Sequence, residues 1–458
     1  MDVEVLVTPG LGDNSYLVSS GGEAVLIDPQ RDVERFLTAA ASKSVVIREV
    51  LETHVHNDYV SGALEIRAAT GADLAGPAGG RYEFPIRGLS DGDDVKVGDL
   101  RLVAMETPGH TPEHLSYLVF EDAADTPAAV FTGGSLMVGG AGRTDLLGAG
   151  LADELARAQY RTLHRLAHLP DEVEVYPTHG AGSFCGTGPA PRERTSTIGT
   201  ERRLNRALAA GSEDAFVRQQ LSDLMAYPAY YRHMAPINRS GPGLVSAIQP
   251  PRPLSPDQVA RLRDGGAWVV DGRWRVPFAR AHIPGSINVE LDDTFGSYVG
   301  WVMPFAAPLL MVLPDPVDES LGEATTQLLR VGYERVEGYL AGGIGAWRDS
   351  GRPVASYRVA GLEELCRARR AGRVAHLLDV RQEVEWDRGR IPNSTHVFVG
   401  DLPDRLGDVP RDGEVWTICA TGHRAALASS LLDRDGIAVR LVEGTGVDDF
   451  LRQCSDPL

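Results

Sequence analysis

Apolar and polar positions alternate in short runs along the first part of the chain. Residues 3–7, 15–18 and 24–27 read as strands, and the last of them ends at Asp28-Pro29. Residues 34–41 carry helical spacing, and residues 45–51 read as a further strand. This alternation runs to about residue 185 and predicts a layered α/β domain. Residues 190–240 predict polar helices, with Arg202, Asn205 and Arg206 on one side. The proline-rich stretch Gln249-Pro250-Pro251-Arg252-Pro253, followed by Pro256, predicts a linker. A weaker boundary falls at Gly351-Arg352-Pro353.

The last part of the chain repeats itself. Val269-Val270-Asp271-Gly272-Arg273 precedes His282-Ile283-Pro284-Gly285-Ser286, and Leu377-Leu378-Asp379-Val380-Arg381 precedes Arg390-Ile391-Pro392-Asn393-Ser394. Ile283 and Ile391 stand at the same offset of 12 from Asp271 and Asp379. Two matching blocks at one spacing predict a duplicated domain. Each copy spans about 100 residues, enough for a small α/β core. The resulting division is 1–250, 251–355 and 356–458, in keeping with 458 residues at about 150 per domain.

Composition adds limits rather than detail. Apolar residues make up 43% and charged residues 24%, an ordinary globular balance. A net charge of −18 speaks against a nucleic-acid partner, because phosphate binding needs a basic face. Four cysteines, Cys185, Cys366, Cys419 and Cys454, form no disulfide framework at this length, which points to a reducing, cytoplasmic setting. The opening residues lack a signal-peptide pattern. The longest uncharged apolar run, residues 299–313, is too short for a membrane span and is interrupted by Pro304 and Pro308.

Chemistry enters with the histidines. Thr53-His54-Val55-His56-Asn57-Asp58-Tyr59 follows a strand, and its two histidines alternate, so both imidazoles are expected on one ion. Thr107-Pro108-Gly109-His110-Thr111-Pro112-Glu113-His114 and Tyr176-Pro177-Thr178-His179-Gly180 supply two more pieces, each just beyond an apolar run. The candidate metal ligands are His54, His56, His110, Asp58 and His179. Cys185 reads equally as a pocket residue or an inert core residue, and Asp145 as a loop brace. Arg202, Arg206 and Arg239 read as a solvated face, with attraction of a substrate carboxylate as the alternative.

These pieces resemble the metallo-β-lactamase superfamily and its His-x-His-x-Asp-His signature. Phe131-Thr132-Gly133-Gly134-Ser135-Leu136, followed by Gly142-Arg143-Thr144-Asp145, is similar to the persulfide dioxygenase branch, near hydroxyacylglutathione hydrolase. The resemblance implies an αββα sandwich and a metal centre. Two positions depart from it. The aspartate ligand of the family falls at Gly134, and the last histidine of the signature falls at Tyr59, a poor ligand. The resemblance therefore implies at most one metal, Fe(II) with Zn(II) as the alternative, held by His54, His56 and His110 unless Asp58 moves in. No organic cofactor is expected. A carboxylate restored at position 134 is expected to raise iron affinity, unless the backbone there refuses a side chain.

The repeated blocks resemble the rhodanese sulfurtransferases. In the second copy, Val415-Trp416-Thr417-Ile418 runs into Cys419-Ala420-Thr421-Gly422-His423-Arg424-Ala425, which matches the family loop Cys-x-x-Gly-x-Arg-Ser except at its end. Loop N–H groups and Arg424 there would favour a thiolate or persulfide anion at Cys419, so both residues are candidate catalytic groups. The first copy has Pro314-Asp315-Pro316-Val317 at the corresponding place and no cysteine, and reads as a structural or docking domain.

The expected architecture is an α/β multidomain chain: an αββα sandwich with a helical extension, then two rhodanese-like α/β domains. The leading function is persulfide metabolism. A glutathione-type persulfide would be oxidised to sulfite at a mononuclear metal, with sulfur relayed by Cys419. Two other readings stay open, a metal-dependent thioester hydrolase and a non-oxidising sulfur carrier. The expected partner is a low-molecular-weight persulfide or thiol, with no nucleic acid and no membrane; a homo-oligomer stays open.

Overall fold

Strand parity sorts the side chains of the first part of the chain into two layers of contact. The computed structural model describes residues 1–121, 124–187 and 191–454. It divides into two units: Met1–Ile248 with Leu329–Gly332, and Gln249–Leu328 with Tyr333–Leu458.

The first unit holds two six-stranded sheets. One runs Asp2–Thr8, Asp13–Ser20, Glu23–Ile27, Val46–Leu51, Asp73–Pro77 and Arg87–Leu89. The other runs Ser196–Thr197, Glu174–Pro177, Ala129–Gly133, Leu115–Glu121, Leu100–Glu106 and Asp94–Val97. Tyr16, Val18, Val25, Ile27, Leu102, Tyr117 and Phe131 fill the space between the sheets. Their sequence neighbours turn outward, because side chains alternate across a strand. Leu17 and Leu26 meet Phe36 and Ile66 of the helices Glu34–Ser42 and Ala63–Thr70. Leu118, Phe120 and Val130 meet Ala156 and Leu163 of Ala149–Leu166, and Phe216 of Glu213–Ser222. The result is the helix–sheet–sheet–helix sandwich. Each fully buried side chain of this size contributes about 1.5–3 kcal/mol.

The second unit contains two sheets with the same plan. The strands Arg252–Leu254, Val336–Leu340, Leu309–Val312, Trp268–Asp271 and Ile287–Asn288 form one, all pairs parallel. Arg358–Ala360, Val439–Val442, Val415–Ile418, His376–Asp379 and Thr395–His396 form the other in the same order. The repeated Asp-x-Arg has a structural cause. Arg273 grips Asp271 at 2.6 Å and reaches the Ala281 carbonyl, while Arg381 grips Asp379 at 2.7 Å and reaches the Gly389 carbonyl.

Two expectations change. Arg252–Leu254 is an edge strand paired with Val336–Leu340, rather than linker; Pro253 is tolerated there because an edge need not donate on both sides. Cys366 and Cys454 form a disulfide across 88 residues, with Cα atoms 5.6 Å apart, where no disulfide was expected. The helices Leu362–Arg370 and Val447–Gln453 share one apolar cluster, which brings the two thiols together. Among the described residues no helix is long and apolar enough to cross a membrane.

Candidate metal centre and sulfur loop

Strand ends build the first site. His54 lies beyond Val46–Leu51, His110 beyond Leu100–Glu106, Gly134 beyond Ala129–Gly133 and His179 beyond Glu174–Pro177. Asp13 opens its strand, and Asp28 follows Glu23–Ile27. All of these side chains are buried.

The imidazole protons are assigned by their partners. Thr53 Oγ1 donates its hydrogen to Asp28 Oδ2 at 2.7 Å, so His54 Nδ1, 2.8 Å away, donates to Thr53. His110 Nδ1 donates to the Arg143 carbonyl at 2.8 Å, and His179 Nδ1 to Asp13 Oδ1 at 2.9 Å. Each ring then presents Nε2 inward. His54, His110 and His179 offer nitrogens within 4.8 Å of one another. His54 Nε2 and His179 Nε2 are 3.5 Å apart, and His110 Nε2 is buried with no hydrogen-bond partner among the described residues. Facing lone pairs repel unless a cation or a proton lies between them. A tetrahedral ion with bonds of about 2.0–2.1 Å sets its nitrogens roughly 3.3 Å apart, so these three residues fit one metal ion.

The electrostatics agree. Burial, then the neighbouring imidazoles, hold His54 well below the ordinary histidine range; burial and His179 bring His110 down to about 3. Neutral rings are what a metal needs. Burial also opposes charge on His179, but Asp58 and Asp13 outweigh it and carry its pKa up to about 10. Burial and then Asp58 push Asp13 up to about 7. This corner of the cluster is anionic and favours a cation, proton or metal.

The expected ligands divide. The sequence grouped His54, His56 and His110; the structure brings His54 together with His110 and His179 in one group of possible ligands, and with Asp28 and His56 in another. His56 turns its Nε2 to Glu52 Oε2 at 3.0 Å and Asp28 Oδ1 at 3.2 Å, which leaves Nδ1 without a hydrogen-bond partner among the described residues. His56, Asp58 and His179 form a third group of possible ligands, and Asp58 Oδ2 is 3.2 Å from His179 Nδ1. Tyr59 stacks on His56 and donates to the Asp28 carbonyl at 3.2 Å.

Position 134 is closed. A Cβ there would lie 2.2 Å from His110 Cδ2, so the imidazole occupies the place of any side chain. The Gly134 N–H donates to His114 Nε2 at 2.9 Å, and His114 Nδ1 meets Thr107 Oγ1, so both nitrogens of His114 are spent on the scaffold.

The groups that support these rings carry no motif in the sequence. Asp13, Asp28, Glu52 and Thr178 are buried polar groups drawn from distant segments. The only signal was polarity where a strand meets a loop. The helical extension also holds the histidine loop: Asn238 donates to the His56 and Tyr59 carbonyls, and Tyr230 to the Asp58 carbonyl. The arginines serve structure: Arg202 binds the Ala167 and Leu169 carbonyls, Arg206 pairs with Asp223 and Arg239 binds the Gly80 carbonyl. Asp145 braces Arg143 at 2.7 Å. Cys185 is fully buried with its thiol pushed up by burial, then by Asp58 and Asp13.

The second site is the loop after Val415–Ile418. Cys419 Sγ accepts from the Gly422 N–H at 3.1 Å, and helix His423–Arg434 follows. Gly422 has φ +98°, a left-handed conformation that suits glycine. Arg424, expected beside the sulfur, pairs with Glu385 at 2.9 Å.

Residues 8–179 match the metallo-beta-lactamase superfamily model, and residues 255–350 and 362–451 match the rhodanese-like domain model. The chain belongs to the metallo-beta-lactamase superfamily and joins a domain of that fold, of glyoxalase II-like type, to two rhodanese-like domains. Hydroxyacylglutathione hydrolase of Cereibacter sphaeroides is 31% identical over 252 residues, 54% of this chain and 94% of that protein. A crystal structure of a metallo-beta-lactamase from Staphylococcus aureus matches with TM-score 0.66 and 28% identity, over 74% of this chain and 98% of the other. That of ETHE1 from Myxococcus xanthus is 31% identical over 52% of this chain and 99% of the other, at TM-score 0.46.

Proposed function

We propose that this chain is an enzyme of persulfide metabolism with three domains bounded near residues 250 and 355. The first domain oxidises the outer sulfur of glutathione persulfide, or a similar small persulfide, with dioxygen and water. Sulfite and the free thiol leave. The last domain carries sulfur on Cys419. One observation carries the reading: a single chain holds both the converging nitrogens of His54, His110 and His179 and a cysteine under a loop N–H.

A bound Fe²⁺ would supply oxygen activation at the three histidines. Thr53, the Arg143 carbonyl and Asp13 fix the ring orientations, which keeps Nε2 of each ring available. Burial of the rings excludes bulk water. At the second site the Cys419 thiolate attacks the outer sulfur of a donor persulfide. The donor S–S bond breaks, its thiol leaves, and Cys419 holds the sulfur as a persulfide. An acceptor thiolate then removes it. The Gly422 N–H favours the anionic forms of Cys419.

A second reading, thioester hydrolysis, is favoured by one feature. Three histidines without the carboxylate at Gly134 suit a zinc site that generates hydroxide, and the Cereibacter relative is named a hydroxyacylglutathione hydrolase. Product analysis separates the readings. Sulfite from glutathione persulfide supports oxidation; release of glutathione from an acylglutathione, with no sulfite, supports hydrolysis.

A further inference from the structure

The cysteine-less repeat is not a bystander to the sulfur loop. Arg275, at the start of its helix Arg275–Arg280, donates from Nη1 to the Thr421 carbonyl at 2.8 Å. Its other nitrogens are fixed by the buried Glu290, with Nε at 2.7 Å and Nη2 at 2.6 Å. The Arg275 backbone N–H also donates to Glu290 at 2.8 Å. The guanidinium therefore has little freedom.

The carbonyl it grips matters. Thr421 C=O and Gly422 N–H belong to one planar peptide unit and point in opposite directions. One end of that unit is held by Arg275, and the other end points at Cys419 Sγ from 3.1 Å. A cation on the carbonyl also polarises the unit and strengthens its N–H as a donor. Gly422 leaves room for this contact: a Cβ there would lie 2.6 Å from Arg275 Nη1.

We infer that Arg275 of the first rhodanese-like repeat is a positioning residue for Cys419 of the second, acting through the Thr421–Gly422 peptide to stabilise a sulfur anion. The inference deepens the sulfur-transfer reading and rests on it. It gives the degenerate repeat a role that its missing cysteine hides.

Other charged groups share the surroundings. Arg424, paired with Glu385, and His423, 3.6 Å from Asp292, come from the loop helix and its neighbours. Tyr298 lies against the His423 ring, and Glu443 borders Gly422. None of these contacts the Thr421 carbonyl in place of Arg275.

The test titrates the Cys419 thiolate by its ultraviolet absorbance in the full chain. Each background is read as the difference from the same protein carrying Cys419→Ser. Arg275→Met is expected to shift the titration upward by about one pH unit. Glu290→Gln, which loosens Arg275 without removing its charge, is expected to shift it in the same direction by less. Titrations of both folded variants that overlay the parent would overturn the role of Arg275. Sulfur transfer that survives Cys419→Ser would instead sink the underlying reading, whatever the titration does. If Arg275→Met does not fold, Glu290→Gln alone decides, and an unmoved titration there overturns the inference.

Discussion

His54 Nε2 and His179 Nε2 face each other at 3.5 Å, with both Nδ1 atoms turned away to Thr53 and Asp13. The pair leads to an expectation about the whole centre. His179→Ala should leave the chain with well under one equivalent of metal. Asp13→Asn, which keeps the ligand but loosens its orientation, should weaken metal binding about 10–100-fold. In the parent, metal at 100 times its Kd should add about 2.7 kcal/mol to unfolding stability. That gain should vanish in His179→Ala. Equal metal content in His179→Ala and parent, by elemental analysis, would remove His179 from the site.

Gly134→Asp is expected to harm the centre. The new side chain must displace His110, whose ring is pinned to the Arg143 carbonyl. Overpacking of this kind costs about 1–3 kcal/mol. Denaturant melts and metal analysis should both fall. This reverses the expectation from sequence, where the missing carboxylate looked like a vacancy to be refilled. A folded Gly134→Asp chain with tighter iron binding would mean that His110 moves aside freely.

The strands of the sandwich were legible because parity and turn residues are local. The duplication was legible because Asp271–Arg273 and Asp379–Arg381 are spaced alike and fold alike. Three kinds of feature were not. Asp13, Asp28 and Glu52 come to the site from separate strands, and no local spacing marks them. Cys366 and Cys454 meet only after two helices pack. No spacing marks Arg275, because its partner is the backbone of Thr421 in the other repeat. The histidine pieces announced a metal site, but which nitrogens converge depends on how each ring is held through its other nitrogen.

Stability should depend on pH through Glu49. Burial, then Asp73, raises its carboxyl to about 7 from an ordinary value of 4.5. The folded state then holds a proton that the unfolded state has released. Between about pH 4.5 and 7 the contribution of Glu49 to stability should fall as pH rises. Glu49→Gln should remove that part of the slope. Denaturation midpoints across this window check it, and parallel slopes in both proteins would contradict it.

The disulfide predicts a thiol count. Denatured without reductant, the chain should titrate only Cys185 and Cys419, and all four cysteines after reduction. A disulfide typically stabilises by about 2–4 kcal/mol, so Cys366→Ala should lower stability by that order. Four titratable thiols in the unreduced chain would contradict the pairing.

Oxidation of sulfane sulfur is the activity proposed for the His54, His110 and His179 centre. Its most direct test is oxygen uptake on glutathione persulfide, measured on iron-loaded samples of known metal content. The parent should consume oxygen in step with sulfite release, with His110→Ala losing both metal and uptake and Cys419→Ser retaining them. No uptake by a fully iron-loaded parent, or uptake unchanged in His110→Ala, would contradict the account.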